Sequence, residues 1–180
     1  NASSDNDTIL LNAGIYLEDL LTINKVLHFV GVERNSVLWV SSTNTVSTGV
    51  NGISFRNITF SGGYVRLDKN VKLYNCIFDD SYPQINSSST ITIDIFNSVF
   101  KNSDHLYNSY NYSNSQVTFK LTNCIAYNIE PSNTNNRYVR YIEISNCIFY
   151  DVQSFEPWSA YNITFDIIFS CLYNSQDYSG

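Results

Sequence analysis

The stretch "VKLYNCIFDD", residues 71–80, runs apolar residues on alternate positions into a single Asn, then continues with Cys, an aliphatic residue and a Phe. Related wording returns downstream as "ITIDIFNSVFKNS" from Ile91, "VTFKLTNCIAYN" from Val117, "RYIEISNCIFYD" from Arg140 and "ITFDIIFSCLYN" from Ile163. A weaker copy, "ISFRNITFSGG", precedes it from Ile53. Anchored on Asn57, Asn75, Asn97, Asn123, Asn146 and Ser170, the copies lie 18, 22, 26, 23 and 24 residues apart. A constant word at irregular intervals implies a constant frame with variable loops.

Two residues before the anchor stand Phe55, Leu73, Ile95, Leu121, Ile144 and Ile168; three after it stand Phe60, Phe78, Phe100, Ala126, Phe149 and Tyr173. Period-two alternation before the anchor marks a strand with one buried face. Beyond the anchor the apolar set resumes on odd offsets, which requires a corner at the Asn, a residue that tolerates left-handed backbone. Asn57, Asn75, Asn97, Asn123 and Asn146 are therefore the expected corner column. In the last copy Asp166 breaks the apolar column while Phe165 and Ile167 fall off register, so a one-residue slip or bulge is expected there.

Strand, corner and strand every 18–26 residues leave no room for a crossover helix and match one turn of a parallel β-solenoid. A β-sandwich also uses short strands but gives no reason for one column to repeat its residue type. The N-terminal third follows the same logic. "DTILLNAGIY" supplies two strands about a turn at Asn12–Gly14, and "LLTINKVLHFVGVERNSVLWV" supplies three more, broken at Asn24–Lys25 and Gly31–Ser36. The expected fold is all-β: a right-handed parallel β-helix of about seven rungs, a rod of roughly 30–35 Å. Residues 1–180 form one such domain, read as a slice or subunit of a larger surface assembly.

The opening "DTILLNAGIYLEDLLTINKVLHFVGVERNSVLWV" and the Asn–Cys–x–Phe words resemble right-handed parallel β-helix proteins of the pectin-lyase-like architecture. More loosely, they are similar to repeats of adhesin-like and polymorphic outer-membrane surface proteins. The resemblance runs from about Asp7 to Asn174. It implies the fold, and it implies enzymes, adhesins and fibres alike, because this architecture carries all three.

Composition agrees with strands. The chain holds 14 Tyr and 11 Phe with no Met. A net charge of −6 with 14% charged residues offers little to a phosphate backbone, so no nucleic-acid partner is expected. No apolar run approaches the roughly 18 residues needed to span a bilayer. The first residue is Asn1 rather than Met, which reads as a mature or excised product.

Cys76, Cys124, Cys147 and Cys171 share one expected inward column with Ile58 and Ser98. A column that accepts Ile, Ser and Cys calls for a modest side chain, and the reading is a buried stack of thiols. A disulfide between neighbouring rungs stays open for Cys124, Cys147 and Cys171. Cys76 stands two steps of about 4.8 Å from Cys124, beyond the usual limit near 7 Å between α-carbons. With no CxxC and only His28 and His105, neither a metal site nor a cofactor is expected.

Catalysis on a polysaccharide would need paired carboxylates, or carboxylates holding calcium beside a basic residue. The candidates are Asp79 and Asp80 with Asp68, Lys69 and Lys72, or Asp94 with Asp166; adjacent loop carboxylates are usually plain solvated residues, and no catalytic residue is assigned. The long loops carry Tyr82, Tyr107, Tyr110, Tyr112 and Tyr138, side chains suited to recognising glycans or cell-surface proteins. Six N-x-[ST] words, at Asn1, Asn6, Asn57, Asn86, Asn111 and Asn162, fit an extracellular, glycosylated protein. The expected function is that of a structural or adhesive module of a cell-surface protein or filament, its subunits or neighbouring domains stacking end to end. The rival is a polysaccharide-active enzyme or its carbohydrate-binding relative.

Overall fold

The computed structural model describes residues 4–17, 21–35, 37–40, 47–109, 116–130, 139–152 and 164–174. They form a parallel β-solenoid with no helix among them. The first sheet stacks β1 (Asp7–Leu11), β4 (Leu27–Gly31), β7 (Ile53–Arg56), β10 (Val71–Tyr74), β13 (Ile91–Phe96), β16 (Val117–Thr122), β18 (Val139–Ser145) and β20 (Thr164–Ile168) in that order. The second stacks β2 (Gly14–Leu17), β5 (Val37–Val40), β8 (Thr59–Ser61), β11 (Ile77–Asp79), β14 (Val99–Ser103), β17 (Ile125–Ile129), β19 (Ile148–Val152) and β21 (Cys171–Tyr173). A third sheet has five strands: β3 (Thr22–Ile23), β6 (Ser47–Thr48), β9 (Tyr64–Leu67), β12 (Tyr82–Ile85) and β15 (Asn108–Ser109). Eight levels in two sheets stand close to the seven rungs expected. The third sheet was not legible, because its strands carry no constant word.

The apolar columns meet in register. Phe29, Phe55, Leu73, Ile95, Leu121 and Ile144 line up through the first sheet, all buried. Trp39, Phe60, Phe78, Phe100, Ala126 and Phe149 do the same in the second. Stacking equivalent side chains puts like rings face to face. The Phe60 and Phe78 centroids are 5.3 Å apart, and those of Phe78 and Phe100 are 4.7 Å apart with planes 4° from parallel. Each buried Phe contributes about 1.5–3 kcal/mol of burial, with a further increment of roughly 0.5–1.5 kcal/mol for the aromatic pair.

The corner column forms as expected. Asn57, Asn75, Asn97, Asn123 and Asn146 all have φ between 50° and 56°. Their backbone N–H groups stay in the ladder, each donating to the carbonyl before the next corner, as Asn75 does to Phe96 at 2.9 Å and Asn97 does to Thr122 at 3.0 Å. Amide side chains also bridge rungs, for Asn75 Nδ2 donates to Asn57 Oδ1 at 2.7 Å and Asn57 Nδ2 to the Gly31 carbonyl at 3.2 Å.

A second left-handed column follows at a fixed distance of five residues: Gly62, Asp80, Asn102, Asn128, Asp151 and Asn174. Side chains in this column also bridge rungs, to one another or to the neighbouring Asp79. Asn102 Nδ2 donates to Asp79 Oδ1 at 3.0 Å, Asn128 Nδ2 to Asn102 Oδ1 at 2.9 Å, and Asn174 Nδ2 to Asp151 Oδ1 at 3.0 Å. The spacing was present in the sequence, but a mixture of Gly, Asp and Asn concealed it.

The last rung slips by one residue, and the slip corrects the alignment. Ser145 pairs with Ile168, so the corner falls on Phe169, with φ 50°, and not on Ser170. Ser170 enters the cysteine column, and Cys171 pairs with the outward Ile148 and is exposed. Cys171 is thus no member of the inward column. Asp166 explains the slip: this register pairs it with Glu143 on the outer face and sets Ile167 over Ile144. Burying an unpaired carboxylate would cost far more than the roughly 1–2 kcal/mol of a left-handed Phe.

Candidate functional site

Outward residues of the first sheet form columns as regular as the inward ones. His28, Ser54, Lys72, Asp94, Lys120, Glu143 and Asp166 stand on successive rungs of one column. Two residues nearer the corner stand Arg56, Tyr74, Phe96, Thr122 and Ser145. Within these columns His28, Ser54, Lys72, Tyr74, Asp94 and Lys120 line a groove of about 590 Å³, with Asn70 and Thr92 along one side.

Local bonds fix this floor. His28 Nδ1 lies 2.8 Å from Ser54 Oγ. The Lys120 ammonium pairs with Glu143 at 2.7 Å. Asn70 Oδ1 accepts from the Thr92 N–H at 2.7 Å. Tyr74 and Phe96 stack at 5.2 Å with planes 10° apart, and the Arg56 guanidinium lies over the Tyr74 ring at 5.3 Å. Arg56 and Phe96 come from the rungs on either side of Tyr74, so both ring faces are occupied. Lys72 and Asp94 enter no ion pair among the described residues.

The carboxylates singled out in the sequence do not converge. Asp94 and Asp166 share a column but are three rungs apart, about 14 Å. Asp79 lies on the second sheet, paired with Lys101 at 2.8 Å. Partial burial alone would raise its pKa, but hydrogen bonds from Lys101 and Asn102 and the Lys101 charge hold it below the usual aspartate value. Asp80 is a second-corner residue, and Asp68 pairs with Arg66 at 2.8 Å. Of the residues singled out, Lys72 and Asp94 reach the groove.

Two expected recognition tyrosines are not exposed loop residues. Tyr107 is buried, its ring 4.8 Å from that of Phe119. Tyr82 opens strand β12, half-buried, with its ring against the His105 ring at 4.6 Å. Tyr110, Tyr112 and Tyr138 lie outside the described residues. Of the sequons, Asn1, Asn111 and Asn162 also lie outside them; Asn6 is exposed and Asn86 half-buried. Asn57 is half-buried in the corner ladder, its amide hydrogen-bonded to Asn75 and to the Gly31 carbonyl.

The cysteine column has a role that the sequence reading missed. At three corners the column residue's own N–H donates to the γ atom of the next rung. Cys76 N–H donates to Ser98 Oγ at 3.1 Å, Cys124 N–H to Cys147 Sγ at 3.3 Å, and Cys147 N–H to Ser170 Oγ at 3.2 Å. Each γ atom also donates to the carbonyl two residues back, Ser98 to Phe96 at 2.8 Å and Cys147 to Ser145 at 3.2 Å. Ser and Cys alternate because both offer a small γ donor and acceptor. Cys76, Cys124 and Cys147 are buried free thiols. Burial pushes Cys76 up to about 12. The hydrogen bond with Cys147, together with burial, holds the Cys124 thiol far above the ordinary range.

No family model, curated protein or solved structure matches the chain. The groove geometry is therefore the basis for a functional reading.

Proposed function

We propose that this chain is an extracellular adhesive module, a rigid β-solenoid of a cell-surface protein that holds a glycan in the groove of its first sheet. The observation that carries the reading is the groove itself: about 590 Å³, lined by His28, Ser54, Lys72, Asp94 and Lys120 from consecutive, hydrogen-bonded rungs. Side chains on strands are held more rigidly than side chains on loops, which lowers the ordering cost of binding. The pectin-lyase-like and adhesin-like resemblance belongs to this reading, as do the exposed sequon Asn6 and the half-buried Asn86.

Binding is favoured over cleavage because the described lining of the groove offers a single carboxylate, Asp94. Glycosidases use a pair, and Glu143, two rungs further along the column, is already committed to Lys120 at 2.7 Å. The test is calorimetry against a panel of soluble cell-wall polysaccharides, with a reducing-end assay alongside. Binding without new reducing ends is the expected result; release of reducing ends that is lost in Asp94→Asn would replace adhesion with hydrolysis.

Assembly through the C-terminal end is a second reading with its own observation. The inward residues Ile167 and Leu172 are 45% and 43% exposed, whereas Ile144 and Phe149, one rung earlier, are 1% exposed. An open end of this kind is closed by a further rung, from a neighbouring domain or subunit. Light scattering across a concentration series tests it: mass rising with concentration in the native chain, and not in Ile167→Lys, is the expected outcome.

A further inference from the structure

We infer that the groove selects an uncharged, hydroxyl-rich polymer lying along the solenoid axis, against both polyanionic and polycationic ones; this rests on the adhesive reading above. The argument is the order of charges along one column. Rung by rung the groove offers the His28–Ser54 pair, the Lys72 ammonium, the Asp94 carboxylate and the Lys120 ammonium. Lys120 is already neutralised by Glu143 at 2.7 Å. A polymer with an acidic group on every repeat is drawn to Lys72 but meets Asp94 one rung beyond it. A polymer with an amine on every repeat is drawn to Asp94 but meets Lys72 one rung before it. In either case attraction on one rung is cancelled on the next, and like charges brought together in a binding site cost affinity.

A neutral polymer meets no such opposition. Lys72 supplies donors and Asp94 acceptors in adjacent rungs, and neither is spent on an ion pair among the described residues. The aromatic column does not add a stacking platform. The two faces of Tyr74 are taken by Phe96 and Arg56, so the ring turns its edge toward the groove. Selection is consequently made by hydrogen bonds, where a site built for hydroxyl groups discriminates well.

The experiment is calorimetry of the full chain with four probes: a soluble β-glucan, a galactomannan, polygalacturonate and chitosan, each at low and high salt. A neutral polymer should bind with an affinity that salt leaves unchanged, while the two charged polymers bind more weakly or not at all. Asp94→Asn, which is isosteric, and Lys72→Gln, which is uncharged and one atom shorter, should each lower that affinity about ten-fold. Lys101→Gln, on the second sheet, should leave it unchanged. Salt-sensitive binding of polygalacturonate or chitosan alone overturns the selectivity and leaves glycan adhesion standing. Neutral binding indifferent to Lys72→Gln and Asp94→Asn overturns the site, and binding of none of the four overturns both readings.

Discussion

Cys124 and Cys147 face the same corner on neighbouring rungs, the Cys124 N–H donating to Cys147 Sγ at 3.3 Å. The sulfur fills a place that an oxygen fills elsewhere, since Ser98 and Ser170 accept the corresponding bonds from Cys76 and Cys147. Cys147→Ser should therefore change stability by less than about 1 kcal/mol, whereas Cys147→Ala strands a buried N–H and costs about 1–3 kcal/mol. Urea unfolding of the two variants separates them; equal losses would refute the hydrogen-bonding role.

Thiol reactivity should divide the column. Native protein treated with iodoacetamide is expected to be modified at Cys171, the exposed thiol, while Cys76, Cys124 and Cys147 react after denaturation. Peptide mass spectrometry reads the outcome directly. Fast native labelling of Cys76 would contradict its burial.

The same burial predicts a pH dependence. Cys76 is pushed from the ordinary 9.0 up to about 12, so the unfolded thiol ionises first. Its contribution is fully present below pH 9.0 and is lost as the pH rises toward 12, at about 1.4 kcal/mol per unit. Denaturation curves under reducing conditions, compared with Cys76→Ser, should show a steeper alkaline loss in the native sequence. Parallel curves would count against it.

Corner residues can be tested in both directions. Asn75→Gly keeps access to φ 54° and loses the amide bond to Asn57, while Asn75→Ala loses both, and should cost about 1–2 kcal/mol more. Phe169 is the inverse case, left-handed and 89% exposed. Phe169→Asn should stabilise the last rung by about 1 kcal/mol. A melting temperature lowered by Phe169→Asn would mean that the ring makes a contact worth more than the strain.

These residues also mark where the sequence was readable. The first corner was legible because left-handed backbone narrows the choice to Asn, and the inward columns because a pleated strand repeats every two residues. The slip of the last rung was legible too, because Asp166 broke the apolar column and a lone carboxylate has to stay outside; what was misread was Cys171, kept in the inward column by taking Ser170 as the corner. The groove was not legible. His28, Ser54, Lys72, Asp94 and Lys120 come from five rungs separated by loops of different length, and only strand register brings them into one column.

The five-residue spacing between the two left-handed columns makes the solenoid tolerant in one place and rigid in another. From a second-corner residue to the next first corner the chain runs 13 residues after Gly62, 17 after Asp80, 21 after Asn102 and 18 after Asn128. The frame thus absorbs insertions on one side of the rod while the segment between the corners keeps its length. A foreign epitope spliced into the stretch after Asn102 or Asn128 would be displayed from that side at intervals set by the rung height, with the opposite surface left as a ruler of constant pitch.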